Sequence, residues 1–479
     1  MNTHVAISSS QPLVSSFMVS APGKVIMYGE HAVVYDKAAI AAAISLRSYL
    51  LVTFPSNSNR TTVSLYFPDI GLCHSWDIKD LPWVAFSAPG KKKHHYDLVT
   101  ALDPDLTEAL QPHVQAVGSG KPQCVRKAHL ASVSAFLYLF LSLSSQKSAA
   151  CTYTLRSTIP IGAGLGSSAS VTVCLATALL LQQRALSRPC NNQSPIESEL
   201  HLKYINRWAF VGELCYHGNP SGVDNTVSSG GKAVLFQNTK GGLPVVTSLR
   251  DFPEFPLLIV NTETPRSTAI EVARVQAFKN AYPAIAEHIL DAIHGISKSA
   301  YSTLTSRDPE YGGSAIRQHL GDLMVANHGL LVALGVSHPR LERIRSLIDH
   351  TGIGWTKLTG AGGGGCTITL LKPGIDSRDL FRDDSTDEIH LSATKTSQTL
   401  LDLERTLANE GFKKYEATLA GDGVGVLWPA VQRNGKEIDQ ESFLNAAGCE
   451  DVEALVGISQ KAFLEDGISK CWEDWKFWR

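Results

Sequence analysis

Apolar and polar positions along this chain fall into two kinds of block. Short apolar runs bounded by glycine, asparagine or proline read as strands. "FMVSAPGKVIMYGEH" is one, ending at Gly29, and "LLIVNTETP" is another. "KKYEATLAGDGVGVLWP" gives the last strands, and "GWTKLTGAGGGGCTITLL" reads as strand, glycine loop, strand. Longer runs at helical spacing read as helices. "IESELHLKYINRWAFVGELCYHG" is one, with Ser194 as a candidate cap before it and Gly218 as its stop. Long amphipathic helices fill the stretch from "LLIVNTETP" to about His350. "AAIAAAISLRSYLLVTF" is ambiguous, because its alanines favour helix and "SYLLVTF" favours strand.

The polar stretches between these blocks mark the loops. "GKKKHHYD", "SRPCNNQSP" and "DDSTDEIHLSATKTSQ" read as loops, and "NTKGGLPVVTSLRDFPEFP" has the turn residues of an inter-domain connection. The most membrane-like run, Leu130 to Ser144, is shorter than the ~20 residues a span needs and is broken by serines, so it reads as a buried helix. From Pro429 the composition turns acidic and tryptophan-rich, ending "CWEDWKFWR". The expected division is residues 1–250, residues 251–428 and a tail, residues 429–479. There is no internal repeat.

Composition narrows the picture. A chain of 479 residues with 44% hydrophobic content suits two globular domains with an appendage. A net charge of -2 gives no global field for nucleic acid or anionic lipid. Nine scattered cysteines without a C-x-x-C pair fit a reducing compartment. The N-terminus lacks the basic and apolar regions of a signal peptide, so a cytoplasmic protein that does not engage membranes is expected.

The candidate chemistry begins at "IPIGAGLGSSASVTVCLATALLL". Gly162, Gly164 and Gly166 let backbone N–H groups approach an anion, and the helix that follows points its positive end at the same place. The Ser168 hydroxyl is an oxygen donor suited to Mg²⁺. No lysine follows, so this is not a Walker loop, and its cation must come from elsewhere in the chain. Read alone, the loop is equally a tight strand-to-helix turn.

Two further stretches change that reading. "SAPGKVIMYGEHAVV", "PIGAGLGSSA" and "TGAGGGGC" together resemble the three ordered motifs of the GHMP kinases, over roughly residues 18–428. "RWAFVGELCYHGNPSGVDNTVSSGG", with "GEHAVV" and "NTETPRST", resembles the mevalonate kinase branch. "YFPDIG" and Trp76–Asp77 look like that branch's nucleotide-side segment, where the family often has asparagine at the position of Asp69.

The resemblance implies a two-domain α/β and α+β GHMP kinase fold. Its N-terminal domain would be ribosomal-protein-S5-like and its C-terminal domain ferredoxin-like, with the site between them. It also places strand near the alanine run. The implied reaction is ATP-dependent phosphorylation of the C5 hydroxyl of (R)-mevalonate, an early step toward isoprenoids and sterols. ATP would lie on Lys24, Ser157 and the cradle Gly162, Ala163, Gly164, Leu165, Gly166, Ser167 and Ser168. Ser168 and Glu213 would hold Mg²⁺. Asp224 would take the hydroxyl proton, with Lys24 as the missing cation. Glu30, His31, Arg266 and Thr268 would face mevalonate, and Lys357 and the "GAGGGG" glycines would line the cleft. Without the resemblance, Asp224 reads as a helix cap, Glu213 and Lys24 as surface residues, and His31 as structural. A homodimer, and prenyl diphosphates competing with ATP, are also implied. The rivals are a GHMP kinase for phosphomevalonate, homoserine or galactose, and a non-catalytic binding protein of the same fold. The tail has no counterpart in the resemblance, so truncation after Trp428 is expected to spare catalysis.

Overall fold

The computed structural model describes residues 15–55, 61–118, 120, 122–190, 192–239, 244–306, 313–375, 395–432, 435–457 and 474–479. Thirteen strands run through it. They are β1 (Phe17–Tyr28), β2 (Ala38–Thr53), β3 (Thr62–Phe67), β4 (Leu72–Asp77), β5 (Cys151–Ser157), β6 (Ala233–Gln237) and β7 (Val245–Leu249). There follow β8 (Phe255–Asn261), β9 (Gly354–Leu358), β10 (Cys366–Leu371), β11 (Lys413–Leu419), β12 (Gly425–Leu427) and β13 (Lys476–Phe477). The order along the main path is β13-β12-β1-β2-β11-β8-β10-β9, so one sheet path runs through both halves of the chain.

Strand β2 is the hinge of this arrangement. It pairs with β1, β5 and β6, and it meets β11 through Leu419 and Ile44. The alanine run is therefore strand throughout, and its helical reading is corrected. The reason is burial on both faces. Ala41 and Ala43 pack with Val227 and Phe236, whereas Ala42 and Ile44 pack with Leu257, Ile259 and Ile368. Small side chains let elements approach from both sides, and tertiary packing overrides alanine's helix preference.

Other expectations meet the structure more simply. β1 stops at Tyr28, where Gly29 takes φ 95°. The apolar run from Leu130 lies in the helix Gln123–Leu143, with Phe136, Leu139 and Phe140 buried. Among the described residues no helix is long and apolar enough to cross a membrane, and Cys73, Cys151, Cys174, Cys190, Cys215, Cys366 and Cys449 are free thiols. The helix over "IESELHLKYINRWAFVGELCYHG" is Pro195–His217; Ser194 takes the cap position, but its side chain makes no capping bond. The stretch read as an inter-domain connection also contains β7, which pairs with β6. The polar loop read from Asp383 to Gln398 lies outside the described residues as far as 394, and its last four residues, from Lys395, are instead the start of the helix Lys395–Asn409.

The described residues from 429 onward pack on the first strand pair. β13 extends the sheet beyond β12, and Trp478 is buried in the large core under β1, β2 and β5. Phe443, Val452 and Trp475 cluster with Met18, Tyr49 and Leu51. Truncation after Trp428 thus removes three large buried side chains, each worth about 1.5–3 kcal/mol of burial. We expect the truncated chain to unfold at least about 10 °C below the intact one, or not to fold cooperatively. An unchanged thermal midpoint by circular dichroism would contradict this packing.

Candidate active site

The site forms where β1, the glycine loop and two helices converge. Gly162, Gly164 and Gly166 have φ of 75°, 80° and 75°, the left-handed region that L side chains rarely adopt. The loop feeds the helix Ser167–Gln182, whose interior positions from Ala169 to Leu181 are all buried. Ser170 Oγ donates to Ala21 O at 2.6 Å and pins that helix to β1.

Strand β1 bends at a register shift between Pro22 and Lys24. A Cβ on Gly23 would lie 2.7 Å from Leu165 O, and Lys24 N–H donates to that same carbonyl at 2.8 Å. Backbone contact alone therefore brings the lysine to the loop. A Cβ on Gly166 would meet Lys24 Cγ at 2.8 Å, so the lysine stem runs directly over the last loop glycine. The cation absent from the loop sequence is supplied by β1.

Lys24 Nζ lies 3.1 Å from Asp224 Oδ1. Asp224 is in the first turn of the helix Val223–Gly230, and Gly222, at φ 80°, is the residue that caps it. Asp224 is thus not the N-cap. Ser228 Oγ donates to Pro22 O at 2.7 Å and docks this helix on the bend of β1.

Glu213 reaches the site from the helix Pro195–His217. Its neighbour Gly212 makes this possible: a Cβ there would lie 2.6 Å from Thr172 Cγ2, so the two helices touch. Ser168 Oγ donates to Glu213 Oε2 at 3.3 Å and lies 3.1 Å from His217 Nε2. Burial, with the Asp224 charge adding to it, pushes the Glu213 carboxyl up to about 8. Glu213 Oε1 is buried without a hydrogen-bond partner among the described residues. An orphaned carboxylate oxygen beside a serine hydroxyl is a hard-oxygen donor pair that fits Mg²⁺.

The remaining expected residues divide. Arg266 threads between the two glycine loops. Its Nη2 donates to Ala163 O at 3.2 Å, and a Cβ on Gly164, Gly360 or Gly365 would fall within 3.2 Å of its guanidinium or Nε. Nη1 is buried with no partner among the described residues, and burial lowers the guanidinium's pKa. Glu30 is buried and forms an ion pair with Lys357 Nζ, while Asn327 Nδ2 donates to its other oxygen at 2.8 Å. Lys357 is therefore buried rather than cleft-facing. His31 Nε2 lies 2.8 Å from Ala361 O of the second glycine loop, and burial lowers its pKa. Ser157 Oγ lies 3.1 Å from Ser48 Oγ, at the end of β5 that leads into the cradle. Ser167 begins the cradle helix. Thr268 is exposed at the start of the helix Thr268–Ala281 and is not drawn into these contacts.

Sequence reasoning missed Gly212, Ser228 and His217. Only Gly212 carried a signal, since a glycine inside a helical pattern costs about 1 kcal/mol and usually marks close packing. The serine and histidine depend on contacts that no local pattern specifies.

A glycine-rich loop, a lysine–aspartate pair and a hydroxyl–carboxylate donor set, with Arg266 and the second glycine loop packed against them, are the arrangement of an alcohol phosphotransferase of the GHMP kind. The models of the GHMP kinases N terminal domain and the GHMP kinases C terminal match residues 132–232 and 315–382. The chain is 55% identical to a mevalonate kinase of Aspergillus fumigatus, over 98% of this chain and 83% of the relative. It is 34% identical to the mevalonate kinase of Homo sapiens, over 85% of this chain and 94% of the relative. The chain belongs to the mevalonate kinase family. Its fold matches the crystal structure of the L. major mevalonate kinase in complex with R-mevalonate, with a TM-score of 0.57 at 22% identity, over 86% of this chain and 99% of that one.

Proposed function

We propose that this chain transfers the γ-phosphoryl group of ATP to the C5 hydroxyl of (R)-mevalonate, with Asp224 as the proton acceptor. The observation that carries the reading is the Lys24–Asp224 pair at 3.1 Å, set beside the glycine cradle and the Ser168–Glu213 donors. The hydroxyl oxygen forms a bond to the γ-phosphorus, its proton passes to the Asp224 carboxylate, and the β–γ bridging oxygen leaves with ADP. Lys24 offers positive charge to the developing alkoxide and the transferring group. The cradle N–H groups of Gly162, Ala163, Gly164, Leu165, Gly166, Ser167 and Ser168 bind phosphate oxygens. Ser157 lies on the nucleoside side. Ser168 and Glu213 would hold Mg²⁺, which when bound neutralises phosphate charge. Arg266, whose buried Nη1 lacks a partner among the described residues, is a candidate for an anionic substrate group, and His31 orders the loop beside it. Glu30 and Thr268 complete the substrate side in this reading.

The same reading carries residues 1–250 as the cradle domain, residues 251–428 as the domain that closes the site, and residues 429–479 as a segment packed on the first. It also carries a cytoplasmic homodimer in isoprenoid synthesis. Prenyl diphosphates would compete with ATP, because their diphosphate suits the same cradle. The test of the reaction is NMR of the product from mevalonate and ATP. The C5 carbon should acquire coupling to phosphorus. Phosphorus appearing elsewhere, or ADP release without a coupled C5, would overturn it.

A further inference from the structure

Arg156, which no feature of the reaction requires, makes four hydrogen bonds that join the tail to the nucleotide side of the site. Its Nη1 donates to Phe443 O at 3.0 Å and to Leu444 O at 3.2 Å, and its Nη2 donates to Ala446 O at 2.9 Å. Its Nε donates to Asp69 Oδ1 at 2.9 Å. The other Asp69 oxygen accepts the Ser157 backbone N–H at 2.8 Å. One buried guanidinium thus caps the last carbonyls of the tail helix Gln440–Asn445 and orients the carboxylate that holds Ser157. The Ile159 N–H donates in turn to Ser157 Oγ at 3.2 Å, which carries the connection into the start of the glycine loop. Cys449 Sγ lies against Thr158 O, so the tail also touches the chain between Ser157 and the loop.

We propose that Arg156 is a positioning residue for the nucleotide, and that through it the segment Phe443–Cys449 acts as the outer support of the ATP-binding wall. The proposal rests on the reading of Ser157 and the glycine loop as the ATP side. A planar guanidinium with fixed donors suits this task, because it holds three carbonyls and a carboxylate in one geometry. Its removal takes its donors from three tail carbonyls and from Asp69 Oδ1, so the carboxylate that accepts the Ser157 N–H is no longer held in place. The substrate side is tied mainly to other elements: Glu30 to Asn327, His31 to Ala361 O, and Arg266 to Ala163 O further along the glycine loop.

The test is steady-state kinetics on Arg156→Met and Asp69→Asn, with a mant-ATP fluorescence titration of each variant and of the unchanged protein. Arg156→Met should raise KM for ATP and weaken mant-ATP binding about tenfold, with kcat and KM for mevalonate within about twofold. Asp69→Asn keeps the tail carbonyls bonded to Arg156, so it decides the matter if Arg156→Met does not fold. It should shift the same two nucleotide readouts in the same direction. The double variant should lose less than the product of the single losses, because both changes break one connection. A folded variant with unchanged KM for ATP would overturn the proposal. So would equal rises in KM for ATP and mevalonate, or a fall in kcat alone. Failure of the unchanged protein to bind mant-ATP would instead remove the underlying reading of the cradle.

Discussion

Replacing Asp224 by asparagine should lower kcat by at least ~100-fold, the lower end for a positioned general base. That loss corresponds to about 2.7 kcal/mol of transition-state stabilisation. The substitution keeps the shape and removes the proton acceptor. It should not unfold the helix Val223–Gly230, because Gly222 supplies the cap and Ser228 anchors the helix to Pro22 O. The nucleotide should still bind, since the cradle, Ser168 and Glu213 are untouched. Excess Mg²⁺ should not restore the rate. Initial rates across a Mg²⁺ titration, with circular dichroism to confirm folding, check all of this. A near-normal kcat would leave the mechanism without its base.

Glu213→Gln should behave in the opposite way toward metal. A neutral amide is a poorer ligand for a hard cation, so the variant should need more Mg²⁺ and regain activity at high concentration. Binding of Mn²⁺ with ATP, followed by electron paramagnetic resonance, should weaken in parallel without any turnover. The raised pKa of Glu213 adds a pH dependence of known sign. In the unliganded protein the carboxyl titrates near 8 rather than in the ordinary carboxylate range. Its contribution to unliganded stability is therefore full below the ordinary carboxylate range and is lost as pH rises through about 8. A metal requires the deprotonated form, so the Mg²⁺ requirement should fall as pH rises from about 6 to 8. In Glu213→Gln that slope should disappear. If excess metal rescues Asp224→Asn and leaves Glu213→Gln inactive, the two roles are exchanged.

The strands that end at glycine, the long helices and the triple-glycine loop were all legible, because each rests on local backbone rules. Gly29, Gly162, Gly164 and Gly166 have the positive φ that such turns need. The first half of β2 was not legible from its residues, although the following "SYLLVTF" favoured strand. Its alanines carry a local preference for helix, and only its pairing on both edges and cover on both faces make it a strand. The tail was illegible for a related reason. Trp478 lies in a core built largely from residues before 212, and β13 pairs with a strand about fifty residues earlier. Lys24 and Asp224 were legible through their motifs, whereas the structure supplied the 3.1 Å that makes them a pair. Lys357 was read as a cleft residue only through the family resemblance. Nothing local revealed that β9 would carry it into a buried pair with Glu30.

The measurement that bears most directly on the account is a coupled ADP-release assay of the unchanged protein with mevalonate, phosphomevalonate, homoserine and galactose as separate acceptors. The account predicts mevalonate to be preferred by at least ~100-fold in kcat/KM over each rival, about 2.7 kcal/mol of differential transition-state binding. Comparable turnover of any rival alcohol would contradict it, since the site around Arg266 and His31 would then not be selecting mevalonate.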